Sequence, residues 1–200
     1  NMSSSIIPKV FRSMSSNVIK SHTVNKVVKT SPHHLYSVVT DVNAYQQFLP
    51  FCKSSQILRR SPCESQFDAS LKIGISDLPP LNVIEEEYIS RVKHSERKGE
   101  NGKQEWIVEA NSIRSNLFHG LKSSWILSEI EKPIESIIKE GNNTSNSPST
   151  WTKVEFQVEM TVADPIIIAA LDQVLEGVAI QQVDAFEKRC FDTSLNVGKR

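Results

Sequence analysis

The stretch WTKVEFQVEMTVADPIIIAALDQVLEGVAIQQVDAFEKRC (151–190) changes period once, at Asp164-Pro165. Before that point Val154, Phe156, Val158, Met160 and Val162 alternate with Glu155, Gln157 and Glu159. A two-residue repeat is a strand with one apolar face. After it, Ile167, Ile168, Leu171, Val174, Leu175, Val178, Ala185 and Phe186 share one stripe when wound at about 100° per residue. That predicts a helix running to about Cys190, capped by the aspartate and opened by the proline. One polar residue, Gln182, falls inside the apolar stripe.

Upstream, the same two-residue period recurs. QFDASLKI (66–73) alternates Phe67, Ala69, Leu71 and Ile73 against polar neighbours, and LKSSWIL (121–127) sets Leu121, Ser123, Trp125 and Leu127 on one face. FCKSSQILRR, LNVIEEEYISRV and KQEWIVEA add less regular strands, with turns near Ser61-Pro62 and between Gly99 and Gly102. VNKVVK (24–29) is a further short strand. Ser31-Pro32 opens a helix with Leu35, Val38, Val39 and Val42 on one side, and NAYQQF forms a second short helix ending before Pro50. Consecutive strands without crossover helices make an antiparallel sheet. One face of such a sheet must be covered, and the C-terminal helix is the element long enough to cover it. The expected class is therefore α+β, a curved antiparallel sheet wrapped around one long helix, with the two short helices at the open end of the gap.

The chain has 200 residues, room for one domain with its own core. Lys plus Arg and Asp plus Glu balance at 23 each, so there is no overall basic field for nucleic acid. The first acid is Asp41, whereas Lys9, Arg12, Lys20, Lys26 and Lys29 precede it. Residues 1–21 are Ser-rich, and Ile6, Ile7, Val10, Phe11 and Met14 form one helical apolar face, the pattern of a mitochondrial presequence. Removing Lys9, Arg12 and Lys20 from 23 bases leaves 20 against 23 acids, a balance of −3. The domain is expected over 22–192, with a polar insert at 131–150 and a tail at 193–200. No apolar run reaches the 18 or so residues of a membrane span. Cys52, Cys63 and Cys190 form no CxxC pair, which argues against a disulfide framework or a zinc site.

LYSVVTDVNAYQQFLPFC (35–52), YISRV (88–92), LFHGLKSSWIL (117–127) and the 154–190 block resemble, in order and spacing, the mitochondrial coenzyme Q-binding family of the START-like, polyketide-cyclase-type superfamily. The resemblance spans roughly residues 24–190. It implies a helix-grip fold enclosing a hydrophobic tunnel. It implies ubiquinone or its isoprenoid intermediates as ligand, no metal, and no chemical step. It also implies a peripheral place on the matrix face of the mitochondrial inner membrane, in support of respiration and ubiquinone biosynthesis. Asn116, Leu117 and Phe118 depart from a Gly-Pro-Phe-like turn at a strand connection.

On that resemblance, the inward faces of 67–73, 121–127 and 154–162, core in any case, would also line the tunnel, with Phe156, Val158 and Met160 on the last strand and Ile167, Leu171, Val174, Leu175 and Val178 on the long helix. Phe48, Leu49, Pro50 and Phe51 would form a mouth or lid; the competing reading is plain packing under the sheet. Gln182 is either a hydrogen-bond partner for a quinone carbonyl or a satisfied stripe-edge amide. Tyr88 and Trp125 are candidates to stack on a ring or simply to pack. Lys53, Arg59 and Arg60 follow the mouth as a phospholipid contact or a solvated strand. Glu85, Glu86 and Glu87 read as a solvated face rather than a catalytic pair, and Cys52 as a buried thiol. His33 and His34 are adjacent, not spaced for a metal. Two other functions compete with a carrier. An aromatase/cyclase-like enzyme needs ordered polar groups in the pocket, and a ribosome-interacting module needs a surface that the −3 balance disfavours.

Overall fold

A computed structural model of the chain describes residues 17–76, 83–99, 102–131 and 150–197. Residues 1–16 and most of the 131–150 insert, with their presequence and loop expectations, lie outside the described residues. Seven strands form one antiparallel sheet: β1 (Val18–Val28), β2 (Cys52–Arg60), β3 (Gln66–Ser76), β4 (Val83–Lys98), β5 (Gln104–Arg114), β6 (Gly120–Glu131) and β7 (Thr150–Val162). Their order is β1-β7-β6-β5-β4-β3-β2. Between β1 and β2 come α1 (Pro32–Thr40) and a 3-10 helix (Val42–Gln47); after β7 comes α2 (Pro165–Val197). This is the helix-grip arrangement.

The sheet is bent on purpose by its irregularities. Register shifts fall between Cys52 and Ser54 and between Ile57 and Arg59 in β2, and between Ile89 and Ser90 in β4. An extra residue on one strand increases local twist and curls the sheet. The concave face so formed carries Phe67, Ala69, Val92, Val108, Leu127, Val154 and Phe156, each 4% exposed or less.

α2 lies in that hollow, packed chiefly on β1, β7 and α1. By length and mean hydropathy Pro165–Ser194 also passes for a membrane span. Most of its apolar residues are sided, however: Ala170, Leu171, Ala179, Val183, Phe186 and Cys190 are buried, Asp172, Asp184 and Lys188 are exposed, and of the large apolar side chains Ile166, Ile180 and Phe191 stay exposed. It is the core helix of this domain.

β1 is longer than its apolar letters suggest and begins at Val18, within the 1–21 segment. It pairs with β7 from Val18↔Val162 to Val28↔Thr152. Its inward positions include Lys20 and Lys26, whose ammonium groups reach Asp172 (2.6 Å) and Asp184 and Glu187 (both 2.6 Å) on α2. Long lysine stems can cross an apolar surface with their charge at its edge, so these lysines tie the helix to the sheet margin.

The short helices are pinned locally. Ser31 Oγ accepts the His34 N–H (3.3 Å), and Pro32 occupies the first turn. Asn43 Oδ1 accepts the Ile57 N–H (2.7 Å), and Ser55 Oγ accepts the Gln46 N–H (3.1 Å), so the 3-10 helix is stitched to β2. The Tyr45 hydroxyl donates to the Val39 carbonyl of α1. The second short helix is thus a tight 3-10 turn ending at Phe48, two residues ahead of Pro50.

Candidate functional site

Because α2 rests on one half of the sheet, a hollow remains between it and the β2–β4 half. The cavity there has a volume of about 140 Å³. Its walls come from α1 and the 3-10 helix (Val39, Val42, Tyr45), from β2 to β7, and from Leu175, Val178, Ala179 and Gln182 of α2.

Burial grades from one end to the other. Val108, Trp125 and Phe156 at the far end are 4%, 3% and 0% exposed. Leu49, Phe51, Leu71, Ile73, Ile75 and Val178 are only half-buried and mark the mouth. The far end is closed by aromatic packing: the ring centroids of Trp125 and Phe156 are 4.5 Å apart, and those of Trp125 and Phe186 4.9 Å apart. Phe186 also meets Tyr45 (5.2 Å) and Phe48 (5.1 Å) edge-on.

Most residues expected at the tunnel do line the cavity: Leu49, Phe51, Tyr88, Trp125, Phe156, Val158, Met160, Leu175, Val178 and Gln182. Five do not. Phe48 turns away to pack between Tyr45 and Phe186, with the Arg189 guanidinium 5.5 Å above its ring. Pro50 is exposed. Ile167 and Leu171 are 7% and 3% exposed in the packed core, and Val174 packs on the Ile84–Ala170 cluster. The apolar stripe of α2 therefore divides along its length. Its first turns fill solid core, and the segment from Leu175 to Gln182 roofs the hollow.

Lining residues beyond those singled out come largely from strand faces that double as core. Leu71, Ile73 and Ile75 of β3, Ser90 and Val92 of β4, and Val108 and Ala110 of β5 all sit at inward alternate positions. The period-two reading of 66–73 already turns Leu71 and Ile73 inward, and two more residues reach Ile75.

The polar side chains of the cavity are uncharged. Burial pushes the Tyr45 and Tyr88 hydroxyls up, so both stay protonated, and burial raises the Cys52 thiol as well. Cys52 donates to the Ser54 carbonyl (3.3 Å). Gln182, Tyr88, Ser90 and Ser123 line the cavity and make no side-chain hydrogen bond among the described residues.

Glu86 is not part of a solvated face. It is 6% exposed, and its Oε1 accepts from Ser115 Oγ (2.7 Å), Asn116 N (2.7 Å) and Leu117 N (3.1 Å). Alternation turns it inward while Glu85 and Glu87 face out, and the departure at 116–118 is the turn that it holds. The bases beyond the mouth are internally engaged: Lys53 with Glu85, Arg59 with Asp68, and Arg60 over the Phe67 ring (5.2 Å). His34 Nε2 lies 3.1 Å from the Cys190 carbonyl and from Thr193 Oγ1, joining α1 to α2.

The sequence profile of the family described as polyketide cyclase/dehydrase and lipid transport matches residues 28–187. A Dictyostelium discoideum protein named "Coenzyme Q-binding protein COQ10, mitochondrial" is 26% identical over 84% of this chain and 67% of its own length. The protein of the same name from Saccharomyces cerevisiae is 27% identical over 53% of this chain, and the match covers 46%, about half, of its length. Among solved structures, the Zhui aromatase/cyclase of a Streptomyces species superposes with a TM-score of 0.59 at 12% identity, covering 86% of this chain and 94% of its own.

Proposed function

The chain belongs to the polyketide cyclase/dehydrase and lipid transport family, and from that premise we propose that it binds ubiquinone in the cavity between α2 and the sheet. It holds and delivers the quinone without transforming it, in support of respiration and ubiquinone biosynthesis. Its place is peripheral, on the matrix face of the mitochondrial inner membrane. The observation that carries this reading is the cavity itself, apolar, closed at an aromatic end and open at one side. Each CH₂ taken out of water gains about 0.8 kcal/mol. A polyisoprenoid quinone therefore needs an apolar shelter to leave a bilayer, and this hollow offers one to the ring and the first part of the tail. The names of the Dictyostelium and yeast relatives point to the same ligand.

A second reading, an aromatase/cyclase-like enzyme, draws on the fold shared with the Streptomyces protein. Cyclisation requires positioned acid–base groups at the reacting atoms. The ionisable lining groups, Tyr45, Tyr88 and Cys52, are all held in their neutral forms, and the nearby carboxylate of Glu86 is committed to the 115–117 turn. Binding is the better supported reading.

The test is mass spectrometry of lipid co-purified with the protein, followed by incubation with quinone-loaded liposomes. Ubiquinone near one per chain is expected in both. Protein that emerges empty and extracts none from the liposomes overturns the proposal.

A further inference from the structure

Resting on the reading that the cavity receives a quinone, we propose that the ligand enters ring first. Its ring lies against Trp125 at the closed end, its oxygens meet a polar band of Tyr88, Ser90, Ser123 and Gln182, and its tail leaves by the mouth.

The register of the sheet orders the cavity along its length. Trp125 pairs with Val108 and with Phe156, the row at the closed end. Two residues nearer the mouth on β6, Ser123 pairs with Ala110, which pairs in turn with Val92. One row further on β4 is Ser90, and after it Tyr88, paired with Leu71 at the mouth. Across the hollow, Gln182 lies one helical turn before Phe186, the residue that packs on Trp125. A turn displaces it about 6 Å along the axis, which sets it over the serines rather than over the closed end. The four polar side chains thus form a band between an aromatic pocket and an apolar rim.

That band has no use within the protein. Ser90 is 3% exposed, and none of the four makes a side-chain hydrogen bond among the described residues. The four groups face the hollow, and a ligand that displaces water from them without hydrogen-bonding them leaves them unpaired at a cost, so the band favours a ligand that brings oxygen atoms to it. A hydrocarbon tail brings none. A tail-first ligand would lay its chain across the band and leave its ring at Ile73, Ile75 and Phe51, where the lining is apolar.

Size agrees with the orientation. At about 10–15 Å³ of centre space per water, 140 Å³ corresponds to roughly ten waters. That is room for a substituted ring and the first part of a tail, and not for a long polyisoprenoid.

The experiment uses ubiquinone with a two-unit tail and the full chain carrying Trp106→Phe and Trp151→Phe, which leaves Trp125 as the sole indole. Bound quinone is quantified by extraction while Trp125 emission is followed, since a quinone ring in contact with an indole quenches it. Ring-first binding predicts near-complete quenching at saturation. In the unmodified protein it predicts a lowered carbonyl stretching frequency for bound quinone, reversed by Gln182→Leu. Loss of one hydrogen bond worth about 1 kcal/mol should weaken quinone binding about fivefold in that variant. Stoichiometric quinone with Trp125 emission intact and an unshifted carbonyl overturns the orientation and leaves quinone binding standing. No extractable quinone overturns the binding reading itself.

Discussion

Glu86 shows what a single letter conceals. In a Glu-Glu-Glu run it reads as solvent-facing, yet strand alternation turns this one carboxylate inward, where it accepts three hydrogen bonds from the 115–117 turn. A hydrogen bond to a charged acceptor contributes about 1.5–3 kcal/mol net, and bonds that share one oxygen do not add in full. Glu86→Ala should therefore lower unfolding stability by about 3 kcal/mol, and Glu86→Gln by about half that, both read from urea denaturation. A Glu86→Ala protein as stable as wild type would mean the turn stands without its anchor. The thiols divide in the opposite sense. Cys63 is exposed in the β2–β3 turn, and hydrogen bonds from Ser61 (2.9 Å) and Ser65 (3.1 Å) favour its thiolate, lowering it to about 7. Burial pushes Cys190 up to about 12 and raises Cys52. Since the thiolate is the nucleophile, alkylation of Cys63 by iodoacetamide should rise through a midpoint near pH 7 while the two buried thiols stay largely unmodified. Peptide mass spectrometry reads all three, and Ser61→Ala should move the Cys63 midpoint upward. Alternation along β4 separates Glu86 from its two neighbours in the sequence itself, but its partners in the β5–β6 turn, and the way the β2–β3 turn folds Ser61 and Ser65 onto Cys63, depend on the fold.

At the scale of elements, legibility followed chemistry. β7 and α2 announced themselves because each has one clean apolar face, and the strand–helix join at Asp164-Pro165 lies where the period changes. β1 reads short in the sequence, at 24–29, because its inward row carries Lys20 and Lys26 where a core strand would show apolar letters. Their acidic partners lie on α2, more than a hundred residues away, and no local pattern reveals them. The stripe of α2 was legible as a whole but not its division, since solid core and cavity roof use the same residue types. Phe186 marks the boundary: it is 0% exposed and touches Tyr45, Phe48 and Trp125. Removing a buried phenyl ring from such a junction costs about 3–5 kcal/mol. Phe186→Ala should accordingly unfold at markedly lower urea concentration. Lys26→Met, which keeps the stem and drops two partly exposed ion pairs, should cost less than about 1 kcal/mol. If the two variants proved equally damaging, α2 would be held by its charges rather than by its apolar face.

For the whole molecule, the question is whether the hollow exists for a guest or is tolerated slack. Packing alone would fill it, since interiors are otherwise close-packed and each void forfeits contact energy. Ala110 offers a direct probe, because it sits on the floor at mid-sheet and points into the cavity. Ala110→Phe adds an apolar ring to empty space, a class of change that commonly raises stability by about 0.5–2 kcal/mol. The variant should melt at or above the wild-type temperature and fail to extract ubiquinone from liposomes. Wild type should gain about 2.7 kcal/mol of apparent stability at a free quinone concentration a hundred times its Kd, and the filled variant should gain none. Stability and binding then move in opposite directions from one substitution, which no global folding defect can imitate. An Ala110→Phe protein that folds, melts as expected and still takes up quinone like wild type would place the ligand somewhere other than this hollow.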